Sequence, residues 1–173
     1  FRHIEIELFV RRDRLAEALQ YSREVFEVAA GLRSELSTDN QRRIEELGMQ
    51  ADLTELRGRY CHHYPVCVRR VVPDDTLISM ASGEGEDWYA LSFISFAKPK
   101  DREGFTLFAS FMARSMLQLF KARPHWGKVC PLDAQALASL YPRFADFRAV
   151  CDKLDPAGVF RNRWTASLLD TDS

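Results

Sequence analysis

From His3 to Leu8 polar and apolar residues alternate (His-Ile-Glu-Ile-Glu-Leu), and the run continues through Phe9-Val10. A period of two is that of a strand with one buried face. It puts Glu5 and Glu7 together on the other face, where both are expected to meet solvent. Arg11-Arg12-Asp13 follows, with Asp13 placed to cap a helix. Leu15, Ala18, Leu19, Val25, Phe26 and Ala29 recur at helical spacing until Gly31 stops the run.

Residues 32–60 break the pattern, being polar and charged with scattered Leu36, Ile44, Leu47, Met49, Leu53 and Leu56. Ser37-Thr38-Asp39 reads as the cap of a helix that Gly48 interrupts. The stretch is either a solvated helical excursion or a mobile insertion. Pro65 to Val72 reads as a strand and Trp88 to Ala97 as a second, aromatic and aliphatic throughout. The acidic, glycine-bearing Ser82–Asp87 lies between them, so an antiparallel pair is predicted. Gly104 to Lys121 is amphipathic, with Phe108, Phe111, Met112, Ser115, Met116 and Leu119 on one face. Asp133 to Leu140 and a segment from Tyr141 through Leu154 are further helices.

The order strand, helix, helical insertion, strand, strand, helix predicts an α+β fold. It is a ferredoxin-like antiparallel sheet with helices on one face, followed by a helical C-terminal tail. A fourth strand is missing unless His125 to Cys130 supplies it. The expected division is an α+β domain over residues 1–122, with the polar insertion at 32–60, and a tail over residues 123–173.

Composition narrows the class. The 173 residues are 46% hydrophobic and 28% charged, typical of a globular chain rather than a disordered one. Twenty-four basic residues against 25 acidic give a net charge of -1. That offers no electrostatic footprint for nucleic acid or an anionic membrane. No apolar run approaches the ~20 residues of a membrane helix. Cys61, Cys67, Cys130 and Cys151 form neither a zinc spacing nor a disulfide framework, which favours free thiols and a cytoplasmic setting. The chain opens at Phe1 inside a predicted strand, so it is expected to be a piece of a longer protein.

Chemistry concentrates in His125-Trp126-Gly127-Lys128, which sets an imidazole, an indole and an amine around a glycine. Gly127 permits close backbone approach or a positive φ, and Lys128 could oppose an anion formed during reaction. A buried Trp with a turn glycine is the plainer alternative. Adjacent Arg69 and Arg70 must point to opposite faces of their strand. One of them needs a partner there, unless the strand is an edge with both heads in water. Cys67 shares the face of Arg69, and Ser92 and Ser95 lie on opposite faces of the aromatic strand. His62-His63 lacks a third metal ligand at useful spacing. No glycine-rich nucleotide loop and no Gly-x-Ser-x-Gly is present.

Taken together, His125-Trp126-Gly127-Lys128, Leu140-Tyr141-Pro142-Arg143-Phe144 with Phe147, and Leu154-Asp155-Pro156 with Gly158, Phe160 and Asn162 resemble the C-terminal end of the sugar-lactone oxidases. That family holds the aldonolactone, gulonolactone and alditol oxidases of the vanillyl-alcohol oxidase flavoproteins. The opening strand is similar to the start of the family's C-terminal domain. The resemblance implies a cap over a flavin, with FAD held mainly by an N-terminal domain of the same protein. It implies a small sugar or polyol substrate, with hydride passing from a C–H to flavin N5.

The resemblance also implies residue roles. Lys128, Arg69 and His125 are catalytic. Arg69, Cys67 and Ser95 bind substrate. His125, Gly127, Lys128 and Asn162 face the cofactor, Asn162 chiefly as a structural residue. Cys67 stands where the family usually has a glutamate, and a thiol accepts hydrogen bonds weakly and carries no balancing charge. A second expectation follows from that departure: a non-catalytic binding module on the same scaffold.

Overall fold

The computed structural model describes residues 3–96 and 98–170, the side chains of residues 99–101 excepted. Phe1, and Ala97 at the predicted end of the aromatic strand, lie outside the described residues. The chain runs β1 (His3–Arg11), α1 (Leu15–Ala29), α2 (Thr38–Glu46), α3 (Gln50–Leu56), β2 (Cys67–Val71), β3 (Trp88–Phe96), α4 (Pro99–Phe120), β4 (Arg123–Pro124), α5 (Ala134–Leu140), α6 (Phe144–Leu154) and α7 (Arg163–Leu169).

The four strands form one antiparallel sheet in the order β2-β3-β1-β4. Leaving aside α2 and α3, the succession β1-α1-β2-β3-α4-β4 in that order is the ferredoxin-like α+β arrangement. Among the described residues no helix is long and apolar enough to cross a membrane.

The alternation in β1 sets both faces of the sheet. Ile6, Leu8 and Val10 pair with Phe93, Leu91 and Tyr89 of β3. They join one apolar cluster with Tyr21, Val25 and Val28 of α1 and Phe105, Phe108 and Met112 of α4. Glu5, Glu7, Phe9 and Arg11 of β1 look the other way.

The missing fourth strand is found one step earlier than expected, at Arg123–Pro124, opposite Phe9 and Leu8. Beyond it the chain still follows β1. The His125 N–H donates to the Glu7 carbonyl (2.8 Å) and the Val129 N–H to the Glu5 carbonyl (3.1 Å). Between these two bonds residues 126–128 bulge out of line.

Three local expectations are corrected. Asp13 does not cap α1, because the chain leaves β1 through a 3-10 turn over Arg12–Arg14 and Arg14 precedes the helix. Residues 32–60 are neither solvated nor loose. Leu36, Ile44, Met49, Leu53, Leu56 and Tyr60 enter the main apolar cluster. The buried Glu24 carboxylate accepts the Ser37 N–H and hydroxyl and the Asn40 amide, at 2.9–3.0 Å. Gly104 does not begin α4 but lies inside it. A Cβ there would stand 2.1 Å from the Arg59 carbonyl oxygen, so only glycine lets the 59–60 backbone touch the helix.

The tail folds onto the same core. Leu137, Leu140, Tyr141, Phe144 and Leu168 belong to the cluster that contains Ile6. Asp133 caps α5 by accepting the Ala136 N–H at 2.8 Å.

Candidate functional site

The sheet face turned away from α1 and α4 is covered at one end. Phe9, Ala81, Trp88 and Ala90 pack together there, with Val71 and Met80 against them. The other end carries Glu5, Glu7, Cys67, Arg69, Ser92 and Ile94, brought side by side by the strand register. Glu7 faces Ser92, Glu5 faces Ile94, Cys67 faces Ser92 and Arg69 faces Ala90. Cross-strand neighbours of this kind sit about 5 Å apart.

Glu7 is the centre of this group and is 4% exposed. Its Oε1 accepts from Ser92 Oγ (2.5 Å) and Arg69 Nη1 (2.9 Å), and its Oε2 from Lys128 Nζ (2.8 Å). Lys128 also donates to Glu5 Oε1 at 2.8 Å. The bulge at 126–128 is what lifts Lys128 over the strand to reach both carboxylates. Two carboxylates, one ammonium and one guanidinium sum to zero charge, so the cluster is internally compensated.

Burial pushes the Glu7 carboxyl up. Hydrogen bonds from Lys128 and Ser92, with the Lys128 charge, outweigh burial and hold it below the ordinary range. Burial pulls Lys128 down, but the two carboxylates more than reverse this and keep its proton on.

His125 is half-buried, and burial together with the Lys128 charge lowers its pKa, so the ring is neutral near pH 7. Its Nδ1 accepts the Gly127 N–H at 3.1 Å, which leaves the proton on Nε2. Gly127 has no positive φ, and its lack of a side chain leaves room for the His125 ring. A Cβ there would lie 3.2 Å from His125 Cε1. On the flank of the same loop Trp126 and Gly127, with Ile78, Leu137, Phe144 and Trp164 among others, line an apolar cavity of about 180 Å³.

Of the residues singled out from the sequence, Lys128, Arg69, Cys67, His125 and Gly127 meet in or beside this cluster. Ser95 does not. It pairs with Ile4, on the side of α1 and α4, and is 1% exposed beside Tyr60. On β3 the positions that reach the cluster are Ser92 and Ile94. Asn162 is spent on a capping box with Thr165 at the start of α7. Arg69 and Arg70 divide between the faces as expected, and neither head is left bare, because Arg70 Nε bonds Asp87 at 2.6 Å. His62 stacks on Phe26 with centroids 4.4 Å apart and is pushed down to about 4 chiefly by burial, which makes it a core histidine.

Glu5 and Glu7 overturn the expectation of solvent exposure. Their side chains are 14% and 5% exposed. The alternation did place them on one face. What no local pattern showed is that the residue 121 positions downstream of Glu7 would cover them.

Residues 1–168 match the family described as D-arabinono-1,4-lactone oxidase. A protein named long-chain alcohol oxidase, from an uncultured marine euryarchaeote, is 72% identical over 172 residues, which are 99% of this chain and 36% of that protein. An alditol oxidase from a Streptomyces species is 42% identical over 103 residues, 60% of this chain and 23% of its own length. An L-gulonolactone oxidase of Scyliorhinus torazame is 32% identical over 104 residues, 59% of this chain and 22% of its own. The chain thus spans about a third of the first of these proteins and under a quarter of the other two.

Proposed function

The chain belongs to the D-arabinono-1,4-lactone oxidase family, and from that premise we propose that it is the substrate-side domain of an FAD-dependent oxidoreductase acting on CH–OH groups. The substrate class is a sugar lactone, an alditol or another alcohol. The 72% identity to a protein named long-chain alcohol oxidase is the reason for the third term. The flavin, when bound, supplies the two-electron acceptor at N5.

The residues fit one part of that cofactor. Lys128 has a third N–H beyond the two given to Glu5 and Glu7, and His125 presents an Nε2–H. Such donors suit the oxygen and nitrogen atoms on a flavin ring edge. Nothing in the cluster is built to cradle a pyrophosphate, so that part of FAD falls to another domain of the protein.

This chain's residues bind and orient. Lys128 keeps its proton because two carboxylates hold it, so it serves as a donor and not as a base. Arg69 spends only Nη1 on Glu7 and Ser92. Its remaining N–H groups face outward to take a substrate oxygen. Glu7 fixes both cations in place. The observation that carries the reading is this single buried carboxylate joining Lys128, Arg69 and Ser92.

The test uses the full-length protein. It is expected to purify with flavin absorbance, and the band is expected to bleach anaerobically on addition of a substrate alcohol. Lys128→Ala is expected to slow that bleaching about 100-fold or more. A protein that takes up no FAD, or a Lys128→Ala variant with normal turnover, overturns the assignment.

A further inference from the structure

Resting on the proposed function, we infer that Cys67 and Ile94 set substrate choice and that the substrate is an alcohol whose carbons next to the reacting one bear alkyl hydrogen rather than hydroxyl.

Most of the hydrogen-bonding capacity of Glu7 and Ser92 is used within the cluster. Glu7 has both oxygens occupied, by Arg69 and Ser92 on one and Lys128 on the other. Ser92 Oγ donates to Glu7 and accepts from Arg69 at 3.4 Å, and is itself buried. The donors that remain are the spare N–H groups of Arg69, one N–H of Lys128 and the His125 Nε2–H. The acceptor capacity that remains belongs to Glu5, which takes one hydrogen bond, and to the buried Glu7 Oε2, which takes one, both on β1 and not on the strand that carries Cys67. Such a set takes one substrate oxygen well, since one hydroxyl oxygen can accept from two N–H groups.

The positions beside it are apolar. Cys67 lies across from Ser92, on the same face as Arg69, and Ile94 lies across from Glu5. Both are half-buried, and both neighbour Ser92, Cys67 across from it on β2 and Ile94 two residues along β3. A thiol is a weak donor and acceptor, and the isoleucine is neither.

A polyol or aldonolactone carries a hydroxyl on nearly every carbon, and each hydroxyl must donate as well as accept. Against the Cys67 thiol and the Ile94 side chain themselves a hydroxyl loses water and meets no strong partner, at a cost of about ten-fold in affinity or more for each one left unpaired. A methylene in the same place loses nothing and buries apolar surface.

The experiment is a comparison of kcat/KM for 1-octanol, xylitol and galactono-1,4-lactone on the flavin-loaded full-length protein. Cys67→Glu and Ile94→Thr are assayed beside the wild type. Wild-type preference for 1-octanol by ten-fold or more is expected, with Cys67→Glu moving the ratio at least ten-fold toward xylitol, mainly through KM for xylitol. Cys67→Ser, which is smaller in effect and closer in volume, guards against misfolding of the glutamate variant and should move the ratio in the same direction. A wild type that favours xylitol or the lactone overturns the inference while the flavin chemistry stands. Variants that leave the ratio unmoved overturn the residue assignment. Bound flavin that none of the three alcohols reduces counts against the underlying enzyme reading as well.

Discussion

Glu7 shows how much one side chain can hold. A carboxylate on a strand is ordinarily solvated, and here it is buried among two cations and a hydroxyl. Its lowered pKa means that the folded state binds its proton less readily than the unfolded chain does. Its contribution to stability is therefore present above about pH 4.5 and is lost as pH falls through the lower folded value. Lys128 has the opposite sign: its contribution is present below about pH 10.5 and is lost as pH rises through the higher folded value. Glu7→Gln is expected to cost about 1–3 kcal/mol at pH 7, since Lys128 and Arg69 lose a shared partner while remaining partly exposed. It should also flatten the acid limb of stability below pH 4.5. Urea unfolding at pH 3, 5 and 7 measures both effects. A variant with wild-type stability at pH 7 would remove Glu7 from the centre of the cluster.

At the scale of elements, α4 carries two backbone features of opposite consequence. Gly104 sits where the Arg59 carbonyl would be 2.1 Å from any Cβ, a contact with backbone that no side-chain rotation relieves. Gly104→Ala is expected to destabilise by roughly 1–3 kcal/mol or more, despite alanine's better helix propensity. Lys121 ends the helix at φ 54° and donates its N–H to the Leu117 carbonyl, a left-handed cap filled by a residue with a Cβ. Lys121→Gly is expected to stabilise by up to about 1 kcal/mol. Thermal melts of the two variants should therefore shift in opposite directions. The helix itself was readable from its apolar face. Its true start was not, because Gly104 reads locally as a boundary and is inside the helix only for the sake of a neighbour 45 residues earlier.

For the whole molecule, Arg123 ties the covered end of the site to the tail. Buried, it donates from Nε to the Leu140 carbonyl (3.1 Å) and from Nη1 to the Ser82 carbonyl (2.7 Å) and hydroxyl (3.1 Å). Its guanidinium lies between the rings of Trp88 and Tyr141, 4.4 and 4.7 Å from their centres. Burial pulls its pKa down, and the two rings and two carbonyls are the partners that a buried guanidinium needs. Arg123→Met keeps the volume and removes the donors. It is expected to cost roughly 2–4 kcal/mol and to release the loop between β2 and β3, seen as faster proteolytic cleavage at residues 73–86. Unchanged cleavage there would show that Trp88 and Ala81 alone hold the loop.

Short periods and local chemistry are what made part of this fold legible from the chain alone. The strand alternation, the helical faces and the α+β order all depend on residues within a few positions of one another. The dense His125–Lys128 motif was equally visible. The tertiary structure alone decided the partners. Glu5 and Glu7 face the same way in any strand, but only the bulge after β4 brings Lys128 onto them. Ser92 and Ser95 are alike in sequence, and only the position of α1 and α4 makes one a site residue and the other a core residue. Periodicity tells which way a side chain points relative to its neighbours in the chain. Which charge or surface it meets is settled by contacts across more than a hundred residues, and no local pattern encodes those.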